Sequence, residues 1–222
     1  MGDPEKVSHD PTSYRGGAAH YRSGRPPYSA GLESTLPREL ELGLNGTGRL
    51  LDAGCGRGIL ALRLAGLFEE VVGLDPDADM LAEASRHAPA EGIMNVSRVH
   101  AIAEDLPGVA PGPYRLATFG QSFHWTQEVL VAETVFDLLE PGGAMAMVVH
   151  TVKDRPRPPN PGHPLIPHDE LDALVKKYLG STKRAGQGSA PVRLHRFEDV
   201  LVGTRFGPRA RSKSLTEAAD LG

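Results

Sequence analysis

Residues 49–59, RLLDAGCGRGI, constrain the fold of this chain more than any other segment. A short apolar run leads to Asp52, glycines follow at alternate positions, and an amphipathic stretch begins directly after them. Glycine suits such a turn because it accepts positive φ angles and lets a ligand approach the bare backbone. The first turn of the following helix offers unpaired N–H groups to the same ligand. The segment therefore predicts a buried strand, a ligand-binding turn and the start of a helix.

The spacing of these glycines distinguishes the turn from that of dinucleotide-binding proteins. The dinucleotide fingerprint places a third small residue three positions after its second glycine, and Ile59 stands at that position here. An acid just before the turn, Asp52, would repel a pyrophosphate but attract the ammonium group of an amino acid. The turn therefore favours a zwitterionic ligand with a cationic group, and a dinucleotide-dependent oxidoreductase is the less favoured alternative.

Strand and helix patterns alternate along the chain. The predicted strands span residues 49–53, 70–74, 96–103, 114–119 and 144–150, and the predicted helices span 29–36, 59–67, 77–88, 126–140 and 169–179, the first, third and fourth capped by Ser29, Asp77 and Thr126. Strands this apolar, alternating with helices, predict a parallel sheet covered on both faces. Sites in such sheets lie beyond the carboxyl ends of the strands. We therefore expect Asp75, Glu104, Gln121 and His150, which follow predicted strands, to converge.

Four short motifs, in order, resemble those of class I methyltransferases that use S-adenosyl-L-methionine. They are DAGCGRG at 52–58, VVGLD at 71–75, AEDLP at 103–107 and LEPGG at 139–143. The resemblance covers about residues 10–150, and the chain is similar to small-molecule enzymes of the trans-aconitate methyltransferase-like (type 11) kind. It implies a Rossmann-like, doubly wound α/β fold with a mostly parallel sheet. The last strands of that fold are not evident after residue 183, although residues 205–214 could supply one. Either the predicted sheet is incomplete at its C-terminal end, or the chain ends short of the family's usual length.

The resemblance also assigns roles in binding the cofactor. The turn and Asp52 hold the methionine part, and Asp75 accepts hydrogen bonds from the ribose hydroxyls. Asp105 takes the adenine amino group with Glu104 beside it, or the two exchange roles. Met80 packs on the adenine or belongs to the core. The predicted cofactor-binding residues are Tyr21, Arg25, Asp52, Ala53, Gly54, Cys55, Gly56, Gly58, Asp75, Pro76, Met80, Glu104, Asp105, Leu106, Gln121 and Ser122.

The methyl acceptor is expected near residues 119–125, FGQSFHW, which follow the fourth strand. The chain lacks the Asn/Asp-Pro-Pro-aromatic motif of DNA amino methylation, a second cysteine that could attack a pyrimidine, and an acidic cluster for a divalent ion. His124 remains as a candidate general base, since histidine titrates near neutrality. Shaping of the substrate pocket or core packing is the alternative for His124, because a carboxylate acceptor needs no base. The predicted substrate-binding residues are Tyr14, Phe123, His124, Trp125 and His150.

Composition narrows the function further. The formal charge of −4 argues against a general polyanion binder. Cys55 is the single cysteine, so an internal disulfide is excluded. The first residues lack the basic and apolar regions of a signal peptide, and no apolar run approaches the roughly 20 residues of a membrane helix. We therefore expect a cytoplasmic protein that has no membrane partner.

The sequence predicts three segments within one α/β unit. Residues 1–28 form a lid over the cofactor, or else a disordered terminus; 29–150 form the S-adenosylmethionine-binding core; and 151–222 contain a substrate cap and the C-terminal part of the same domain. His163 and His168 lie near Asp169 and Glu170, but without matching cysteines or a second histidine pair no metal is expected. The oligomeric state is not predicted.

The predicted function is methyl transfer from S-adenosyl-L-methionine to oxygen or nitrogen of a small molecule. Nucleic acid is not the expected partner. One alternative is an RNA or protein methyltransferase that docks through the basic stretch at residues 183–213. A second alternative is a protein that binds the cofactor without catalysing transfer.

Overall fold

The structure is a computed structural model, and it describes residues 27–90, 92–149, 167–180, 184–185, 188–189 and 197–207. The predicted lid at residues 1–26 and most of the connection after the fifth strand lie outside these ranges. Tyr14, Tyr21, Arg25 and His150 therefore lie outside the described residues.

A parallel sheet of five strands forms the centre of the described chain. The strands are β1 (Arg49–Ala53), β2 (Glu70–Asp75), β3 (Val96–His100), β4 (Tyr114–Gly120) and β5 (Leu139–Val148). They lie side by side in the order β3-β2-β1-β4-β5, and all four pairings are parallel. The order reverses at β1, so the ends of β1 and β4 form a crevice of the kind that binds ligands in doubly wound folds. This arrangement confirms the predicted Rossmann-like fold class.

Helices cover both faces of the sheet. They are α1 (Leu32–Glu39), α2 (Ile59–Leu64), α3 (Ala78–Ala90), α4 (Leu106–Val109), α5 (Glu128–Leu138), α6 (His168–Leu179) and α7 (Phe197–Val202). Helices α1 and α2 bury leucines on one face together with Leu50 and Leu116. Helices α4, α5 and α7 bury Leu106, Val131 and Leu201 on the other face. Apolar burial on both faces explains why the central strands are almost continuously apolar.

The C-terminal part contributes little to the sheet in the described ranges. The remaining strands there are the two-residue pair β6 (Arg184–Ala185) and β7 (Gly188–Ser189), which form a separate antiparallel sheet. Helix α6 is the predicted helix of residues 169–179, and Gly180 ends it with φ 81°. Residues 205–207 form a turn after α7, and the rest of the suggested strand at 205–214 lies outside the described residues. No helix in the described ranges has both the length and the apolar character needed to cross a bilayer.

Several predicted boundaries are wrong for local reasons. Strand β5 begins at Leu139 rather than Ala144. Leu139 pairs with Tyr114 of β4 and Ala144 pairs with Leu116, so the Pro-Gly-Gly segment between them forms a bulge within the strand. Strand β3 ends at His100, and residues 103–105 form a 3₁₀ turn instead. Helix α3 ends at Ala90 rather than at residue 88.

Two predicted helix caps are also wrong. Helix α1 begins after Gly31, in the left-handed region with φ 75°, and it runs through Pro37 to Glu39. Its Leu36 and the following Leu40 pack against the core, which stabilises the turn despite the proline. The hydroxyl of Thr126 donates to the carbonyl of Phe123 at 2.8 Å instead of capping α5.

Two valines on α5 provide a matched test of how this helix packs against the core. Val131 is fully buried, whereas Val129 is 54% exposed. We expect Val131→Ala to lower the free energy of unfolding by about 2 kcal/mol, because it leaves a cavity in the core. Val129→Ala should change it by less than about 0.5 kcal/mol. Urea unfolding of both variants measures this difference, and equal effects would contradict the placement of α5.

Candidate functional site

The loop after β1 depends on backbone conformations that favour glycine. Gly54, Gly56 and Gly58 have φ angles of 70°, 54° and 76°, which other residues rarely adopt. The backbone N–H groups of Gly54 and Cys55 both donate to the carbonyl of Leu74, at 2.7 and 3.0 Å. Gly58 is the N-cap residue of α2. The loop is therefore fixed to the end of β2 and leads directly into the helix.

The loop after β4 packs directly on the loop after β1. A Cβ atom at Gly54 would lie 2.4 Å from the Cβ of Ser122, so only glycine fits there. The Ser122 hydroxyl donates to the carbonyl of Ala53 at 2.6 Å. Gln121 adopts φ 59°, an unfavourable conformation for a residue other than glycine. Its backbone N–H donates to Val148 at 3.0 Å, which holds the loop in this strained turn.

A cleft lies at the carboxyl ends of the strands. The described residues that line it are Gly54, Gly56, Leu74, Asp75, Pro76, Met80, Ile102, Ala103, Glu104, Gly120, Gln121, Ser122, Trp125 and Thr126. Its position matches the crevice predicted from the alternation of strands and helices.

Asp75, at the end of β2, presents a carboxylate to this cleft. One oxygen accepts from the N–H of Gly56 at 2.7 Å, and the other accepts from the N–H of Asp77 at 2.9 Å. A carboxylate can accept at roughly four positions, so these bonds are compatible with ligand hydroxyls as further donors. Asp77 caps α3 as predicted, since its side chain accepts from the N–H groups of Asp79 and Met80. The helix cap and the carboxylate of the cleft are therefore different residues.

Glu104 faces the cleft from the loop after β3. One of its carboxylate oxygens accepts from the backbone N–H of Gln127 at 2.7 Å. This bond joins the loops after β3 and β4. Asp105 is exposed and does not line the cleft. Of the two acids, Glu104 is thus the one placed to meet a ligand, which is the exchanged order of the predicted pair.

Apolar side chains line the cleft together with Glu104. Met80 is buried at the start of α3, and Ile102 remains 40% exposed although it lines the cleft. Trp125 and Thr126 lie just before Gln127, so the Glu104 bond brings them towards the loop that carries Ile102. The end of the cleft over β2 and β3 is therefore largely apolar, with Asp75 and Glu104 at its edge.

Residues 50–143 match the family described as a methyltransferase domain. The match agrees with the resemblance of the four sequence motifs to class I methyltransferases. Three curated relatives match in part. "Probable S-adenosylmethionine-dependent methyltransferase CRG1" of Saccharomyces cerevisiae is 28% identical over 58% of this chain and 44% of its own length.

The other two relatives are bacterial. The tRNA 5-carboxymethoxyuridine methyltransferase of Escherichia coli K12 is 30% identical over 46% of this chain and 40% of its own length. The ubiquinone biosynthesis O-methyltransferase of Psychrobacter cryohalolentis is 31% identical over 53% of this chain and 45% of its own length. The chain therefore spans less than half the length of each of these relatives.

Asp52 does not line the cleft. Its side chain is fully buried. One oxygen accepts from the N–H of Ala61 at 3.1 Å, and the other accepts from the hydroxyl of Thr118 at 2.9 Å. Burial raises the pKa of Asp52 to about 7, although both hydrogen bonds favour the charged form. Asp52 therefore joins β1, β4 and α2, and direct contact with a ligand's ammonium group is not available to it in this structure.

Other predicted residues pack beneath the residues that line the cleft. The Cys55 thiol points towards β2, since a Cβ atom at Gly73 would lie 3.0 Å from its sulfur, and burial raises its pKa. Phe123 is 1% exposed and packs edge-on against Phe119 at 5.0 Å between ring centroids. Predicted site residues that do not line the cleft are Asp52, Ala53, Cys55, Gly58, Asp105, Leu106, Phe123 and His124.

His124, the predicted base, is half-buried beside Trp125, with 5.3 Å between the ring centroids. Trp125 lines the cleft and His124 does not. Sequence reasoning did not select five lining residues, which are Leu74, Ile102, Ala103, Gly120 and Thr126. Ile102 carried a usable signal, because it is an apolar residue directly before the acidic turn. The others are apolar or small residues, which leave no chemical signature of a ligand in a sequence.

The buried Asp52 gives the stability of the fold a specific pH dependence. The pKa of an Asp in the unfolded chain is about 3.9, whereas burial raises the pKa of Asp52 in the folded protein to about 7. The folded state therefore holds this proton more tightly than the unfolded state. Its stabilising contribution is complete below about pH 4 and is lost as the pH rises through about 7.

We expect the wild type to lose about 2 kcal/mol of unfolding free energy relative to Asp52→Asn between about pH 5.5 and about pH 8. The asparagine is neutral throughout, so it removes this titration. Urea unfolding at both pH values measures the difference, and Asp79→Asn, at an exposed position, serves as the control. Parallel pH profiles of wild type and Asp52→Asn would contradict the raised pKa.

Proposed function

We propose that this protein is an S-adenosyl-L-methionine-dependent methyltransferase that acts on oxygen or nitrogen of a small molecule. The observation that carries the proposal is the Asp75 carboxylate, which ends β2 and faces a cleft bordered by the glycine loop. An acid at this position can hold both hydroxyls of a ribose. The match of residues 50–143 to a methyltransferase domain supports the same cofactor.

The lining residues fit the separate parts of this cofactor. Asp75 would hold the ribose, and Glu104 would accept from the adenine amino group. Met80, Ile102 and Trp125 would pack against the adenine faces. Gly54 and Gly56 would meet the methionine part with bare backbone, because a side chain at Gly54 collides with Ser122. When bound, the cofactor supplies a methyl group already activated by a sulfonium charge.

The protein's contribution to such a reaction is mainly alignment and exclusion of water. Holding an acceptor in line with an activated methyl group supplies most of the required rate enhancement. The strained Gln121 and the bonded Ser122 form a rigid wall beside the glycine loop. His124 would have to turn towards the cleft to act as a base, so an acceptor that is already deprotonated agrees best with this arrangement.

The relatives support two classes of acceptor. One is named for ubiquinone biosynthesis and another for a modified tRNA uridine. The small-molecule reading is favoured by the acidic net charge of −4. It is also favoured by Arg205 of the basic stretch, which donates to Asp137 at 2.6 Å and to the carbonyl of Glu133 at 2.8 Å. The guanidinium of Arg205 also stacks on the ring of Phe136, with 4.3 Å between its Cζ and the ring centroid. Arg205 therefore anchors the chain after α7 rather than presenting its charge to RNA.

Removal of the Asp75 carboxylate tests the cofactor assignment. We expect Asp75→Ala to weaken binding of S-adenosylhomocysteine by about 1.5 kcal/mol or more, because charge-assisted hydrogen bonds are lost. Asp79→Ala removes an exposed acid in the first turn of α3 and should leave the affinity for S-adenosylhomocysteine unchanged. Isothermal titration of the three proteins measures this. Failure of the wild type to bind, or equal affinities for all three, would refute the assignment.

Labelled methyl transfer tests the class of acceptor. The protein is incubated with methyl-labelled cofactor and with metabolite or RNA fractions, and the label is followed into each. We expect label in small molecules that survive ribonuclease treatment. Label lost on ribonuclease treatment would favour the RNA alternative. Cofactor binding without transfer in any fraction would favour the non-catalytic alternative.

A further inference from the structure

Arg57 is a buried cation within the glycine loop. It lies between Gly56, whose N–H donates to Asp75, and Gly58, the N-cap residue of α2. Its side chain is 2% exposed and contacts α3, the helix that follows Asp75. The loop itself packs on the same helix, because a Cβ atom at Gly58 would lie 3.3 Å from the Cβ of Ala84. The side chain of Arg57 therefore joins the loop to α3.

The acceptor for Arg57 on α3 is the imidazole of His87. The guanidinium Nη2 of Arg57 lies 2.9 Å from Nε2 of His87. A guanidinium has only N–H donors, so Nε2 must accept, and it can do so only while it carries no proton. The contact therefore requires the neutral imidazole with its proton on Nδ1. Histidine is the side chain that changes charge between about pH 5 and about pH 8, so a proton can remove this contact within that range.

Charged groups of α3 and β3 lie around His87. One carboxylate oxygen of Glu83 lies 3.6 Å from Nε2 of His87 and 3.9 Å from Nη2 of Arg57. The other oxygen pairs with Arg86 on the same helix. From the sheet, Arg98 of β3 donates to a backbone carbonyl of α3 at 3.0 Å. A proton on His87 would therefore add positive charge among three guanidinium groups, with one carboxylate beside it.

The titratable groups of β2 and of the loop have other positions. Glu70 pairs with Arg49 at 2.7 Å at the start of β2, and Asp75 accepts from two backbone N–H groups at the end of that strand. The Cys55 thiol of the glycine loop points towards β2. The charge balance at the imidazole is therefore set mainly by Glu83 and the three guanidinium groups.

We propose that neutral His87 positions the glycine loop for the cofactor by accepting the hydrogen bond from Arg57. This inference rests on the proposed function. Protonation of His87 removes the acceptor and places a second cation beside the guanidinium, while Glu83 can pair with either cation. Gly56 is then held less firmly at Asp75, and the loop fits the methionine part of the cofactor less well. His87 acts through Arg57, so it is a positioning residue.

The pH dependence of cofactor affinity separates this role from a purely structural one. We expect the wild type to bind S-adenosylhomocysteine about fivefold more weakly at about pH 5.5 than at about pH 8, because one hydrogen bond to the loop is lost. His87→Gln supplies an amide oxygen that accepts from Arg57 at either pH, so its affinity should stay near the higher wild-type value. His87→Leu has no acceptor and should bind weakly at both pH values. Isothermal titration measures all of these affinities.

His100→Gln is the matched control. His100 is exposed on β3, and its Nε2 donates to the carbonyl of Pro76 at 2.9 Å, so it is a second histidine whose bond is not to Arg57. This variant should keep the pH dependence of the wild type. The pKa of Asp52, about 7, falls in the same range. Asp52 is unchanged in all of these proteins, so its contribution cancels in the comparison.

A measurement without ligand distinguishes failure of this inference from failure of the proposed function. In isotope-labelled protein, the amide signals of Gly56 and Gly58 should follow the titration of the His87 imidazole, and this component should be absent from His87→Gln. Loop signals that do not follow His87, or a pH dependence of affinity that persists in His87→Gln, would overturn the proposal. Coupled loop signals in a wild type that does not bind S-adenosylhomocysteine would refute the proposed function, and with it the role of His87 in cofactor binding.

Discussion

The structure depends on the direct contact between the loops that end β1 and β4. At Gly54 this contact leaves no room for a side chain, because Ser122 lies where a Cβ atom would be. The hydrogen bond from Ser122 to Ala53 closes the contact. The loop after β1 also donates hydrogen bonds to the carbonyl of Leu74 in the neighbouring strand β2. These bonds fix the end of β2 relative to the same loop. The cleft is therefore a rigid consequence of how the strand ends pack, rather than a feature of separate flexible loops.

Two buried carboxylates have different positions in this region. Asp52 lies inside β1, so its side chain points into the layer between the sheet and α2, where Ala61 and Thr118 donate to it. Asp75 is the last residue of β2, so its carboxylate reaches past the sheet to the cleft. The same residue type has a structural role in one strand and a proposed ligand-binding role in the next. The position relative to the strand end decides between them.

The sequence predicted the elements whose signals are local. The first two strands are apolar runs with clear ends, and Asp77 has the spacing of a helix cap, so these predictions agree with the structure within a residue. Boundaries failed where tertiary packing overrides local preference. The Pro-Gly-Gly segment before Ala144 is typical of a break between two elements. Pairing with β4 nevertheless makes it part of β5, as a bulge.

The site was predictable in outline but not in detail. The motifs located the cleft, because each follows a strand that ends at the same edge of the sheet. They could not show that Asp105 is exposed while Glu104 faces the cleft, or that Phe123 packs in the core. Alternation along a short turn does not define which side chain faces inward. Contacts such as that of Tyr28 with Gly120 join distant parts of the chain and leave no pattern in either segment.

A crystal structure of the protein with S-adenosylhomocysteine tests the central claim most directly. The account predicts electron density for the ligand in the cleft, with both ribose hydroxyls within hydrogen-bonding distance of the Asp75 carboxylate. The adenine should lie against Ile102 and Trp125, with its amino group at Glu104. Ligand density away from the Asp75 carboxylate, or a ribose that does not contact it, would contradict the account.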